Sequence, residues 1–143
     1  MRSLSIALIL VTLYGCARSA EDDSNVRPPI TELDLRIVRR AEQILSSEAV
    51  WNRADDRIFR PEATTFSLYT ALEKATLEVG GKFTHREAAM QEARFTIGEI
   101  APKRHYDHRL MDYNNDRETT FADIKRVLAL TETNIAKKLE LKK

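Results

Sequence analysis

The chain has 143 residues, with 23 lysines and arginines against 22 aspartates and glutamates, and a formal net charge of +1. So even a balance leaves no global field to steer nucleic acid or an anionic membrane surface, and no nucleic-acid role is expected. A single cysteine, Cys16, excludes an internal disulfide, and only four glycines and four prolines punctuate a chain rich in helix-forming residues.

The chain opens with Arg2, an apolar run from Leu4 to Leu13 broken by Ser5 and Thr12, and then Tyr14-Gly15-Cys16-Ala17. A basic start, a short apolar core and a small-residue exit read as a signal peptide over residues 1–20, too short to span a bilayer. The expected address is outside the cytoplasm: periplasm, cell envelope or medium. Two endings compete. Leu13-Tyr14-Gly15-Cys16 resembles a bacterial lipobox, which makes Cys16 the lipidation candidate and a lipid anchor the only membrane contact. Tyr14 is bulky for that motif, and Gly15 with Ala17 equally suits general cleavage after Ala17. Removal of residues 1–15, with Arg2, brings the basic side chains to 22, matching the 22 acidic ones. Residues 21–29, from Glu21-Asp22-Asp23 to Pro28-Pro29, read as a disordered tether, and residues 30–143 as one helical domain.

The first helix is expected to start at Thr31, with Asp34 as its capping partner. Leu33, Ile37, Ala41, Ile44 and Leu45 form its stripe, widened by Leu35 and Val38, until Ser46-Ser47. Trp51 follows as an anchor, and residues 52–62 read as a polar connection pinned by Ile58 and Phe59. The spacing of Leu68, Leu72, Ala75 and Val79 predicts a second helix from Ala63 to Val79, stopped by Gly80-Gly81. Thr84 and Glu87 form a capping box for a third helix, whose inward residues are Ala89, Ala93, Ile97 and Ile100 before Pro102. A last helix starts after Thr119-Thr120, with Phe121, Ile124, Val127, Leu128, Ile135 and Leu139 facing inward. The fold class is all-α, a single small bundle of four or five helices.

The segment Asp112 to Asp123 looks like a calcium-binding loop. Asp112, Asn114, Asp116 and Asp123 supply oxygen ligands at suitable positions. Against this, Arg117 stands where the loop needs glycine, Thr119 replaces a hydrophobe, and Asp123 is shorter than the usual glutamate. A turn by Asn114 and Asp116, with Thr119 or Thr120 capping the last helix, is the reading the residues favour. His105 and His108, three apart, are a metal pair only if the segment is helical, and Asp107, His108 and Asp112 are the only catalytic grouping on offer. There is no nucleophile elbow, no phosphate-cradling glycine loop and no usable catalytic cysteine. The basic clusters at Arg36-Arg39-Arg40 and Lys137-Lys138-Lys142-Lys143 read as a wet helix face and a dipole-favouring helix end.

The run Tyr113-Asn114-Asn115-Asp116-Arg117-Glu118-Thr119-Thr120-Phe121-Ala122-Asp123-Ile124 resembles a family of small bacterial proteins known only as a domain of unknown function. Its members carry an aromatic-Asn-Asp turn, then a Thr-Thr pair and an acidic-aliphatic pair. They also carry a Trp after the first helix, as at Trp51, and a Phe-Cys-x-x-Gly-Ala-Leu-like second helix. Phe66-Ser67-Leu68-Tyr69-Thr70-Ala71-Leu72 is similar to that helix, with Ser67 in place of Cys and Thr70 in place of Gly. The similarity covers about residues 33–139 and implies no activity, cofactor or partner. The export signal departs from it, because members mostly look cytosolic.

The expected function is therefore a non-enzymatic exported binding module for a macromolecule or small ligand, with an apolar patch around Trp51, Ile58, Phe59 and Tyr69 as its candidate surface. No cofactor is expected. The alternative is an EF-hand-like calcium module using Asp112, Asn114, Asp116 and Asp123.

Overall fold

Thr31 opens helix α1 (Glu32–Ile44), and the Asp34 carboxylate returns to it, Oδ2 accepting from the Thr31 amide and hydroxyl at 2.8 Å each. Its other oxygen accepts from the Ala89 amide at 3.0 Å, so one side chain ties the start of α1 to the start of a later helix. These contacts come from a computed structural model that describes residues 25–143; the signal peptide and both endings at Cys16 lie outside the described residues. No helix among the described residues is long and apolar enough to cross a membrane.

Four further α-helices follow among the described residues, α2 (Leu68–Gly80), α3 (Ala88–Ile100), α4 (Arg109–Asn115) and α5 (Phe121–Glu140), with a short 3-10 turn at Glu48–Val50 after α1. The architecture is all-α, and the only pairing outside helices there is an isolated parallel bridge between Trp51 and Phe66. That bridge explains why α2 begins later than the predicted Ala63. The Phe66 amide donates to Val50 O at 2.8 Å and its carbonyl accepts from the Asn52 amide at 2.9 Å, which holds the chain extended up to Ser67. Ser67 then caps the helix, its hydroxyl accepting from the Thr70 amide at 3.1 Å while Thr70 Oγ1 accepts from the Ser67 amide at 2.9 Å. Gly81 ends α2 at φ +79°, a left-handed conformation that favours glycine. Thr84 does not cap α3: its amide and hydroxyl both donate to the Glu87 carboxylate, and Glu87 is itself the N-cap, with no side-chain bond to the helix. Thr120, one of the two threonines expected to do so, caps α5: its hydroxyl accepts from the Asp123 amide at 3.2 Å, and Asp123 Oδ2 accepts from the Thr120 amide at 2.9 Å.

α1 packs against both α2 and α5, and α3 bridges α5 and α4. Ile37, Leu45, Leu72, Met90, Ile97, Ile124, Leu128 and Ile135 are fully enclosed between them. Each such side chain contributes roughly 1.5–3 kcal/mol of apolar burial. α4 carries no stripe of its own because it is short; Leu110, Tyr113 and Asn114 are its buried residues. Val26 and Arg27, which the sequence assigns to the tether, contact α3. Gln91 Nε2 donates to Val26 O at 2.7 Å, and the Arg27 guanidinium lies 3.6 Å from the centre of the Phe95 ring.

Candidate functional site: an arginine-lined cleft

The residues suspected of holding calcium do something else. Asn114 is fully buried at the end of α4, and its amide is fully used. Oδ1 accepts from Trp51 Nε1 at 2.8 Å and from the Leu68 amide at 3.0 Å, while Nδ2 donates to Asn52 O at 2.9 Å and Asn115 Oδ1 at 3.1 Å. The Leu68 amide is one of the donors that the first turn of α2 leaves without an intrahelical acceptor. Asn115 continues the seam, exchanging hydrogen bonds with the Asp55 amide at 2.8 Å and carbonyl at 2.9 Å. Asp116 accepts from Tyr106 Oη at 2.8 Å and Arg104 at 2.9 Å, and from the Glu118 amide, which keeps its pKa below the usual value. Asp112 accepts from the His108 amide at 2.7 Å, and Asp123 is the partner of Thr120 in the box that caps α5. The four residues therefore diverge into separate structural bonds. No group of three His, Cys, Asp or Glu side chains able to hold a metal ion occurs among the described residues.

The suspected apolar surface divides as well. Trp51 is buried against Phe121, with ring centres 6.0 Å apart, and Phe59 is half-buried against the core. Ile58 is exposed, and Tyr69 is buried at a different place, the wall of a cleft. His105 and His108 separate too, lining different hollows. Of the catalytic grouping, Asp107 and His108 line that cleft and Asp112 does not.

The cleft has a volume of about 550 Å³. Arg57 comes to it from the loop before α2, Tyr69 from α2, His85 from the turn after α2, Arg94 from α3 and Arg109 from α4. Leu110 and Met111 add apolar surface. Arg57 adopts φ +58°, a left-handed conformation costing a non-glycine residue roughly 1–2 kcal/mol. It is held there by the buried Asp55, whose Oδ1 accepts from the Arg57 amide at 2.8 Å. Asp55 Oδ2 has no hydrogen-bond partner, and burial raises the pKa of this carboxyl.

Arg94 donates to the carbonyl of His85 at 3.1 Å and to Gln91 Oε1 at 2.7 Å, both neutral acceptors. Burial lowers its pKa to about 10, so it stays charged at neutral pH. Arg109 reaches the Arg94 carbonyl at 3.3 Å, again a neutral group. Among the described residues, no carboxylate lies within 4.0 Å of the Arg57, Arg94 or Arg109 guanidinium, whereas Arg27, Arg39, Arg40, Arg60 and Arg104 are each paired with one. Tyr69 Oη lies 3.0 Å from His85 Nδ1. Burial and then the Arg94 charge lower the His85 pKa, and burial raises that of Tyr69. The imidazole is thus neutral at pH 7 and the phenol keeps its proton.

Sequence reading missed Arg57, His85, Arg94 and Arg109, because each lies on a separate segment and no local spacing links them. Only Tyr69, Asp107 and His108 were singled out, for other reasons.

These features define an all-α domain pinned by a buried asparagine and carrying a basic cleft. The chain belongs to the family of unknown function DUF6197, which matches over residues 29–134. The match takes in every residue of the asparagine seam and of the cleft. Neither a curated protein nor a solved structure matches the chain.

Proposed function

We propose that this chain is an exported, non-enzymatic binding domain that holds an anionic small ligand in the cleft between α2, α3 and α4. The single observation that carries the reading is the presence of Arg57, Arg94 and Arg109 in one cleft without a carboxylate partner among the described residues. A half-buried guanidinium satisfied only by neutral acceptors has given up hydration without gaining an opposite charge. An incoming carboxylate or phosphate repairs that deficit with charge-assisted, bidentate bonds. A volume of about 550 Å³ lies within the range typical of small-molecule sites, roughly 300–1,000 Å³.

Export rests on the leader of residues 1–20, with Cys16 as the point of lipid attachment or a discarded residue. Intact mass of the protein recovered from its host tests this half: processing before Cys16 with added acyl mass means an anchor, processing after Ala17 means release, and an intact Met1 refutes export. Thermal melting tests the cleft. Pyrophosphate or citrate, compared with chloride at equal ionic strength, is expected to raise Tm by binding the native state alone. The rise should vanish in Arg94→Gln and Arg109→Gln. An equal rise in wild type and both variants would remove the cleft from the explanation.

A further inference from the structure

The cleft contains three guanidiniums with no ion-pair partner among the described residues, Arg57, Arg94 and Arg109, against one carboxylate of its own lining, Asp107. With Arg86 also in the lining, four arginines face that one carboxylate, a formal excess of three positive charges. A monocarboxylate cancels only one of them, whereas a phosphate monoester, with a second pKa near 6, carries close to two negative charges at pH 7. Phosphate also offers three peripheral oxygens rather than two, which suits donors that arrive from a loop, α3 and α4 rather than from one plane. Two further donors stand in the same lining, the protonated Tyr69 hydroxyl beside His85 and the His108 ring. The hollow, about 550 Å³, is far larger than a phosphate head alone. The remaining wall, Tyr69, Tyr106, Leu110 and Met111, is aromatic and apolar, and it calls for an organic body with a face to lay against those rings.

We infer that the cleft is a site for a small soluble phosphate monoester, its phosphate held by Arg57, Arg94 and Arg109 and its ring-bearing body against Tyr69, Tyr106, Leu110 and Met111. This assignment rests on the anion-binding reading of the same cleft and narrows it. Affinity depends on both halves of the ligand, the doubly charged head and the ring.

Isothermal titration of the full chain at pH 7.5 and constant ionic strength tests it with phenyl phosphate, inorganic phosphate and benzoate. Phenyl phosphate is expected to bind at least tenfold more tightly than either of the others. Arg94→Gln and Arg109→Gln, checked for an unchanged melting transition, should each lower that affinity about tenfold. Benzoate binding as tightly as phenyl phosphate overturns the phosphate assignment while leaving an anion cleft. Inorganic phosphate binding as tightly removes the ring-bearing body. No binding of any of the three overturns the anion-binding reading with it. Vesicles containing phosphatidic acid provide the last arm: retention on them without binding of phenyl phosphate moves the head group to a membrane and overturns the soluble ligand. The ranking is read on the wild-type protein, so it stands even if a variant fails to fold.

Discussion

Two polar regions of this domain, built from overlapping segments, handle buried polarity in opposite ways. Around Asn114 every donor meets an acceptor: the indole of Trp51, the first amide of α2, the carbonyl of Asn52 and the amide of Asn115 all close on one side chain. In the cleft, Arg94 and Arg109 spend their donors on carbonyls and a glutamine, and their charge stays uncompensated. A closed network stabilises and specifies a fold, whereas an open one costs stability until something completes it. The difference separates residues that make the domain from residues that prepare it for a partner. Of the residues by which the chain resembles its family, Trp51, Leu68 and Asn114 meet in the closed region, whereas Tyr69 stands in the wall of the cleft.

The closed region is the place to expect the largest effect. Asn114→Ala leaves Trp51 Nε1, the Leu68 amide and the Asn52 carbonyl without their partner in a site with no exposure to water. Each stranded group costs roughly 1–3 kcal/mol, so the expected loss of stability is about 3 kcal/mol or more, measured by urea unfolding. That is a large part of the roughly 5–15 kcal/mol that holds a small domain together. A loss below about 1 kcal/mol, within ordinary surface variation, would mean the seam is dispensable and the contrast between the two regions is misdrawn.

Arg57→Gly should act in the reverse sense. Glycine accepts φ +58° without the side-chain clash, so stability is expected to stay level or rise by up to about 1 kcal/mol. Affinity for phenyl phosphate should fall about tenfold with the lost guanidinium, equivalent to about 1.4 kcal/mol. Paired unfolding and titration experiments read both. A variant that loses stability and keeps its affinity would make Arg57 a structural residue and leave the cleft with only two working arginines.

The same contrast explains what was legible in the sequence. Caps and stripes are local, so Thr31 with Asp34, Gly81, and Thr120 with Asp123 appear where the spacing puts them. The start of α2 was less legible, because the Trp51–Phe66 bridge that holds Phe66 extended joins positions far apart in the chain. α4 was missed because seven residues carry too few turns to show a period. Asp112, Asn114, Asp116 and Asp123 suggested a calcium loop because oxygen side chains at those intervals suit a metal and suit turns and caps equally. Only the long-range partners of Asn114, Trp51 and Leu68, distinguish the two uses. The cleft was invisible for a related reason: Arg57, His85, Arg94 and Arg109 come from four segments, and each alone looks like an ordinary surface cation.

The smallest effect, and the most direct reading of the field inside the cleft, is the titration of His85. Its ring is partly buried, its Nδ1 faces Tyr69 Oη at 3.0 Å, and Arg94, Arg57, Arg86 and His108 all oppose a positive charge on it. Its pKa should therefore lie below the ordinary 6.5, as followed by NMR of the ring protons. Because the folded value is the lower one, the unfolded chain binds the extra proton first as pH falls. The contribution of His85 to stability is present above pH 6.5 and is lost as pH drops through the interval below it. His85→Gln should flatten that part of the stability profile. Saturation with phenyl phosphate should move the ring's midpoint upward, since a dianion among the arginines reverses the sign of the local field. A midpoint at or above 6.5 in the ligand-free protein would mean that water and neighbouring carboxylates, rather than unpaired guanidiniums, govern the cleft. The open region would then be as well compensated as the closed one, and the asymmetry between them would disappear.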